Sequence, residues 1–358
     1  MPPLRIGIVL MSALGDITLG LPVLMAIRRA WPDARITWVV QRGHDALLRG
    51  HQGIDELVPF DRWTGLSGYL GIHERLRTRS FDLVIDLQTA LKAGIVTAMM
   101  RADAKIGFDR PRCRDANWLF TNHRIPTAPR AHMADQFREF LPAIGIDDPS
   151  VEYGLTPSAD AHEAVTNAVG ADPRPLCSIV VASSKAYKNW SPARLGALCI
   201  ELVQQYGVRP VLVGGLSDVE QWAAADILRQ CAMSLAAYDR PLVALGCGIP
   251  QLLAFLDRSA LVVSPDSGPL HMAVALDRPV VGLYGATNPQ VVGPYRRSAD
   301  LVVDRYHAPG ETPRFSVRRR LDGMQRIGVD DVLERVDYWR RAYAPEPMAA
   351  TSRESVAV

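Results

Sequence analysis

Short apolar runs alternate with longer segments of helical period along nearly all of the chain, and this alternation restricts the fold more than any other feature. Leu4–Leu10 is one such run, followed by Thr18–Ala30, in which Leu21, Leu24, Met25 and Ile27 recur at helical spacing. Arg35–Val40, Glu56–Phe60 and Phe81–Asp86 read as further strands, with a polar helix-like stretch before the last of them. Ala90–Met100 reads as a helix with Leu91, Ile95 and Met99 on one face. Alternation of this kind predicts βα units and a largely parallel sheet. Between residues 101 and 130 the pattern loosens into Arg, Asp, Asn and Pro. A helix over His132–Ile144 follows, and then Pro149, Pro157, Pro173 and Pro175 mark a linker with a short helix inside it.

A second series of units begins at Leu176–Val181. Helices are expected over Ser191–Tyr206, opened by a Ser-Pro pair suited to its first turn, and over Asp218–Arg229, Pro250–Asp257 and Gly268–Leu276. Strands are expected over Val208–Val213, Ala260–Ser264 and Pro279–Tyr284. A chain of 358 residues can form two such domains, each with its own core. The reading is therefore an α/β protein of two similar halves, residues 1–165 and 172–328, with a final helix over 329–344 and a disordered tail over 345–358. Two halves of this kind leave a cleft, where α/β proteins bind ligands at the C-terminal ends of their strands.

The remaining composition excludes more than it selects. A formal net charge of +2 gives no support for nucleic-acid binding. The five cysteines, Cys113, Cys177, Cys199, Cys231 and Cys247, are scattered singly and read as buried thiols in a reducing compartment. The chain has no signal-peptide layout and no apolar stretch near the roughly 20 residues needed to span a bilayer, so a cytoplasmic protein is expected, able to touch a membrane surface.

Three loops, each between an expected strand and helix, carry candidate chemistry. In Met11-Ser-Ala-Leu-Gly-Asp16, Gly15 suits a tight turn and Asp16 either caps the helix or acts as a base. Ala182–Ser191 supplies Ser183, Ser184, Lys185 and Lys188 ahead of a helix N-terminus, a setting that suits a phosphate. In Ser264–Leu276, Asp266, Ser267 and Gly268 open a helix, Gly268 permits close backbone approach to a ligand, and His271 can face the same ligand. No Gly-x-Gly-x-x-Gly fingerprint, Asp-x-Asp or His-x-x-His pair occurs, so neither a dinucleotide cofactor nor a metal site is expected, and Lys, His and helix dipole must offset any leaving diphosphate.

Together the three loops resemble the ADP-heptose:lipopolysaccharide heptosyltransferase family, glycosyltransferase family 9, over about residues 4 to 340. The most specific stretch is Asp266-Ser-Gly-Pro-Leu-His271, then Ala275-Leu-Asp-Arg-Pro279 and Tyr284-Gly-Ala-Thr-Asn-Pro289. Gly15-Asp16, Asp86-Leu-Gln88 with Lys92, and Gly107-Phe-Asp109 with Arg114-Asp115 also fit family patterns. The resemblance implies a GT-B fold of two Rossmann-like domains and inverting, metal-independent transfer of heptose from ADP-heptose to a sugar hydroxyl of the lipopolysaccharide inner core. It implies that Asp16 is the catalytic base, that Lys188 contacts donor phosphate beside Ser183 and Ser184, and that Asp266, Ser267, Gly268 and His271 form the donor segment. Glu220 would hold the ribose hydroxyls, and Cys247 would fall near the adenine. Arg62 and Arg114 match acceptor-side positions, and residues 101–130 carry seven Lys/Arg against three Asp, a balance suited to an acidic, membrane-anchored glycolipid at the cytoplasmic face of the inner membrane. A transferase using another nucleotide sugar or glycan, a nicotinamide-dependent oxidoreductase and a non-catalytic sugar-nucleotide binding module are the alternatives.

Overall fold

A computed structural model describes residues 2–312 and 314–343; the tail expected over 345–358 lies outside them. The first half runs β1 (Arg5–Val9), α1 (Leu14–Ala30), β2 (Arg35–Gln41), β3 (Glu56–Phe60), α2 (Leu66–Leu76), β4 (Ser80–Asp86), α3 (Leu91–Met99), β5 (Arg101–Gly107), β6 (His123–Arg124), α4 (Met133–Arg138) and α5 (Phe140–Ala143). The second opens on α6 (Ala159–Val169), β7 (Leu176–Val180), α7 (Pro192–Gln204), β8 (Arg209–Gly214), α8 (Asp218–Ser234) and β9 (Leu242–Leu245). It continues through α9 (Ile249–Arg258), β10 (Ser259–Pro265), α10 (Gly268–Ala275), β11 (Val280–Tyr284), α11 (Pro289–Val292), β12 (Val303–Asp304) and α12 (Val329–Ala342).

Each half builds a six-stranded sheet, in the orders β3-β2-β1-β4-β5-β6 and β12-β11-β10-β7-β8-β9. All pairings are parallel. Read from β9, the second order repeats the first, so both sheets are doubly wound with the strand order reversing beside β1 and beside β7. Central strands such as β1, β7 and β11 are almost wholly buried, which fits their runs of Ile, Val and Leu. The α/β, GT-B-type architecture read from the sequence is thus present.

Several boundaries differ from the reading. The loosened stretch contains β5, whose Arg101, Asp103 and Lys105 alternate with small residues near the sheet edge and so hide the apolar signal. The helix expected over His132–Ile144 breaks at Glu139 into α4 and α5. The short linker helix is α6, capped where Ser158 Oγ accepts from the Ala161 N–H at 3.3 Å. Its Ala161 and Val165 pack with Leu176, Val180 and Val211, so the boundary expected at residue 165 falls inside a helix of the second half. Ser191 occupies the N-cap of α7 but its side chain makes no capping bond, and Pro192 opens the helix. Of the cysteines, Cys177, Cys199 and Cys231 are buried, whereas Cys113 and Cys247 are half-buried.

The halves are not merely adjacent. One apolar cluster joins Leu21, Leu24 and Phe137 of the first half to Leu256, Leu270, Met272 and Tyr295 of the second. Beside it the His132 ring stacks on Tyr295 with centroids 4.8 Å apart, and His132 Nε2 donates to Gly293 O at 3.0 Å. The Tyr295 hydroxyl donates to Asp135. Burial pushes His132 down to about 4, so the ring is neutral in this contact at ordinary pH.

The last helix is held mainly by its apolar face. Val332, Val336 and Trp339 are buried in the second core, and Trp339 Nε1 donates to Ala260 O at 3.0 Å. Trp339→Ala is expected to cost about 3–5 kcal/mol, read as a lower urea midpoint. An unchanged midpoint would remove α12 from the cooperative core.

Candidate active site

The loops after β1 and β4 leave the first sheet at its switch point, and those after β7 and β10 leave the second at its own. The packing of α1 on α10 turns these loops toward one another. This brings together Asp16 from one half and Lys188, Asp266 and His271 from the other.

Asp16 is the third residue of α1, not its N-cap; the cap position is Ala13. Its Oδ2 accepts from the Ala13 N–H at 3.1 Å, so the carboxylate reaches back over the helix start. Burial raises its pKa, against the lowering influence of that bond and of nearby His271 and Lys188. The loop itself is clamped from β4. Gln88 accepts from the Met11 N–H at 3.0 Å and donates to Ser12 O at 2.7 Å, while Lys92 Nζ donates to Ser12 Oγ at 2.6 Å. Beneath them Asp86 is fully buried and accepts from Thr97 Oγ1, Asn117 Nδ2 and the Gln88 N–H, each at 3.0 Å. Burial pushes Asp86 up to about 7 despite these donors.

On the opposite wall Lys188 Nζ lies 2.6 Å from Asp266 Oδ2. His271 Nε2 stands 3.7 Å from Asp266 Oδ1, beyond hydrogen-bonding distance, and His271 Nδ1 is buried with no partner among the described residues. Burial alone would raise the Asp266 carboxyl, but His271 and Lys188 hold it down to about 2. Asp266 is therefore the fixed anion of the pair, whereas burial favours the protonated form of Asp16.

Two glycines set the spacing: Gly15, read as a turn glycine, lies inside α1, and Gly268 opens α10. A Cβ on Gly15 would lie 2.7 Å from His271 Cδ2, and one on Gly268 would lie 2.9 Å from Leu14 Cβ. The close approach at Gly268 is thus to α1 of the other half. Ser267 is the N-cap of α10, and its hydroxyl bonds Ser264 Oγ at 2.9 Å.

The other expected residues are distributed around this centre. Ser183 is tied to Asn189 Oδ1 through its N–H at 2.7 Å and its hydroxyl at 2.9 Å, whereas Ser184 is exposed. Glu220 caps its own helix, accepting from the Gly215 N–H at 2.6 Å and from Ser217 Oγ at 2.6 Å. Its carboxylate therefore does not project as a free group. The Cys247 turn lies alongside, since the Gly246 N–H donates to Gly214 O at 2.9 Å.

Arg62, Arg114 and Lys92 gather on the first half: burial, Arg62 and Arg114 all depress the Lys92 ammonium. His44, which the sequence did not single out, joins them, with Nδ1 donating to Met11 O at 3.2 Å. Three of the seven basic side chains of residues 101–130 are engaged within the first half. Arg112 is buried against Asp109 and Glu139, Lys105 Nζ donates to Thr97 O at 3.0 Å, and Arg124 donates to Trp118 O at 2.8 Å. Among the described residues no three His, Cys, Asp or Glu side chains gather so as to hold a metal ion, and no helix is long and apolar enough to cross a membrane.

The chain is similar to known proteins. The family described as Glycosyltransferase family 9 (heptosyltransferase) matches residues 70–317. The lipopolysaccharide core heptosyltransferase OpsX of Haemophilus influenzae is 30% identical over 304 residues, covering 85% of each chain. Lipopolysaccharide heptosyltransferase 1 of Escherichia coli K12 is 27% identical over 82% of this chain and 92% of its own. Among solved structures, the Escherichia coli heptosyltransferase WaaC with ADP superposes with a TM-score of 0.74 at 25% identity, covering 94% of this chain and 99% of that one.

The glycine contact gives a test independent of any substrate. Gly15→Ala should destabilise the protein by about 1–3 kcal/mol through overpacking. His271→Ala in the same chain should recover much of that loss, because the clash it relieves is the shared term. Strictly additive urea stabilities for the two substitutions would exclude the contact.

Proposed function

The chain belongs to glycosyltransferase family 9 and is a glycosyltransferase, and from that premise we propose that it transfers a heptose from ADP-heptose to a sugar hydroxyl of the lipopolysaccharide inner core, with inversion. The observation that carries this reading is the placement of a burial-raised carboxylate, Asp16, opposite the Lys188–Asp266–His271 cluster across the two switch points. The donor is read from the relatives: OpsX and heptosyltransferase 1 are lipopolysaccharide heptosyltransferases, and WaaC was solved with ADP.

In this reading the acceptor oxygen attacks the anomeric carbon and the bond from that carbon to the diphosphate oxygen breaks. Asp16 takes the acceptor's hydroxyl proton, and its raised affinity for that proton suits the task. The negative charge arriving on ADP meets Lys188, His271 and the N–H groups that open α10 at Ser267 and Gly268. Asp266 orients Lys188. Ser183 and Ser184 border the phosphates, and the loops of Glu220 and Cys247 shape the ribose and adenine end. Arg62, Arg114 and Lys92 receive an acidic, membrane-anchored acceptor. Relative movement of the halves accompanies binding.

Asp16→Asn should leave ADP-heptose affinity within a few-fold while lowering transfer by about 10²–10⁴-fold; substantial remaining transfer would remove Asp16 from the chemistry. Asp16 works ionised, so transfer rises with pH through its midpoint, above the value near 4 of a free aspartate. Because Lys188 lowers that midpoint, Lys188→Ala should shift the acid limb upward as well as weaken donor binding. An unmoved limb and unchanged affinity would remove Lys188. In a thermal-shift panel ADP-heptose should stabilise the protein; stabilisation by a UDP- or GDP-sugar instead would overturn the donor assignment.

A further inference from the structure

The segment leading into α2 exposes three large apolar side chains within eight positions: Trp63 at 76%, Leu66 at 74% and Leu70 at 60%. Leu66 and Leu70 stand one helical turn apart, and Trp63 lies on the single turn preceding the helix. The inward face of α2 is already satisfied. Ile72 and Leu76 are buried in the cluster that holds Val58 and Phe60, and Tyr69 packs on Phe60 with ring centroids 4.9 Å apart. The outward apolar face is therefore not part of the helix's own docking.

Its surroundings are cationic. Residues 61–79 contain Arg62, Arg75, Arg77 and Arg79 against Asp61 and Glu74; Arg77 is paired with Glu74 and Arg79 with Glu56, which leaves Arg62 as the cation beside Trp63. The Arg62 guanidinium lies 4.1 Å from the Trp63 ring centroid, and Arg62 also acts on Lys92 and His44 at the acceptor side of the cleft. The apolar face thus runs directly into the cationic wall beside Asp16. A second exposed stripe, Leu216, Val219 and Trp222 at the start of α8, is flanked instead by Asp218 and Glu220. Exposed Phe315, Val317 and Leu321 also lie among four arginines, at 314 and 318–320, so continuity with the cationic wall beside Asp16, rather than charge alone, selects α2 for an anionic surface.

We propose that Trp63, Leu66 and Leu70, together with the arginines around them, form the surface by which this protein lies on an anionic lipid bilayer. The proposal rests on the reading that the acceptor is a membrane-anchored acidic glycolipid, and it says which face of the enzyme meets the membrane. Trp63 settles at the headgroup boundary, where a ring with an apolar body and a polar N–H is best accommodated, and Leu66 and Leu70 enter the acyl region. Arg62, over the Trp63 ring, faces lipid phosphates. Docked this way, the cleft opens at the membrane surface, and the acceptor sugar reaches Asp16 while its anchor stays in the bilayer.

The test uses the full chain and vesicles without any acceptor. Wild-type protein should co-sediment with phosphatidylethanolamine–phosphatidylglycerol vesicles, less with phosphatidylcholine vesicles, and less again as salt is raised. Leu66→Ser/Leu70→Ser should weaken partition into the anionic vesicles about tenfold, and Trp63→Ser should weaken it independently. Transfer to acceptor embedded in vesicles should fall in parallel for the leucine variant, while transfer to the deacylated, water-soluble acceptor stays at the wild-type rate. Equal partition of wild type and both variants would overturn the surface assignment. So would a change of oligomeric state in the leucine variant with vesicle binding unaltered, which would make the face a contact between copies. Vesicle binding by wild type that transfers no heptose would sink the acceptor reading and leave the surface standing.

Discussion

The site depends on how closely two backbones approach at Gly15 and Gly268. Each glycine faces a side chain of the other half, His271 and Leu14 respectively, at a separation that a β-carbon would fill. That contact fixes where α1 meets α10. It places the start of α1, with Asp16, against the start of α10, with Asp266 and His271. The two N-termini point their positive ends toward one region, a setting that favours an anion between the halves.

Within that region two carboxylates have opposite fates. Asp266, flanked by Lys188 and His271, is held down to about 2 and keeps its charge across the whole working range. Asp16 is pushed the other way by burial. Paired carboxylates driven apart in this manner divide their tasks, one retaining charge to organise cations and the other exchanging a proton. The clamp from Gln88 and Lys92 onto the loop before Asp16 adds geometric definition from β4, two strand ends that the parallel topology places side by side.

Much of this arrangement was legible in the chain itself. Strand–loop–helix alternation led to the two parallel sheets, and the loops at 11–16, 182–191 and 264–271 do converge on one region between the halves. What was not legible depends on tertiary placement. Strand β5, next to the edge strand β6, lacks the apolar run that marks central strands, because Arg101, Asp103 and Lys105 alternate with its small residues. Gly15 reads as a turn glycine, whereas its space is used by His271, far away in sequence. The resemblance assigns Glu220 to the ribose hydroxyls, but the Ser217–Glu220 spacing is also that of a capping box, and the helix start engages its carboxylate. Arg112 and Arg124 look like part of one basic surface with their neighbours until Asp109, Glu139 and the Trp118 carbonyl are seen to engage them. His44 carries no local pattern at all and becomes visible only when β2 delivers it beside Met11.

The apolar cluster that runs from α1 and α4 into α9 and α10 bears on how such proteins can diversify. A nucleotide-binding half is easily pictured as an exchangeable module that could be recombined with a new acceptor half. Here the seam is not a hydrated joint but shared interior, with Leu21 and Leu24 in the same packed unit as Leu270 and Met272. A foreign half would have to bring complementary side-chain volumes along this seam, and a glycine opposite each intruding group. Variation confined to the loops at the strand ends avoids that requirement, so new specificities are more readily acquired at the rim of the cleft than by exchanging the bodies that form it.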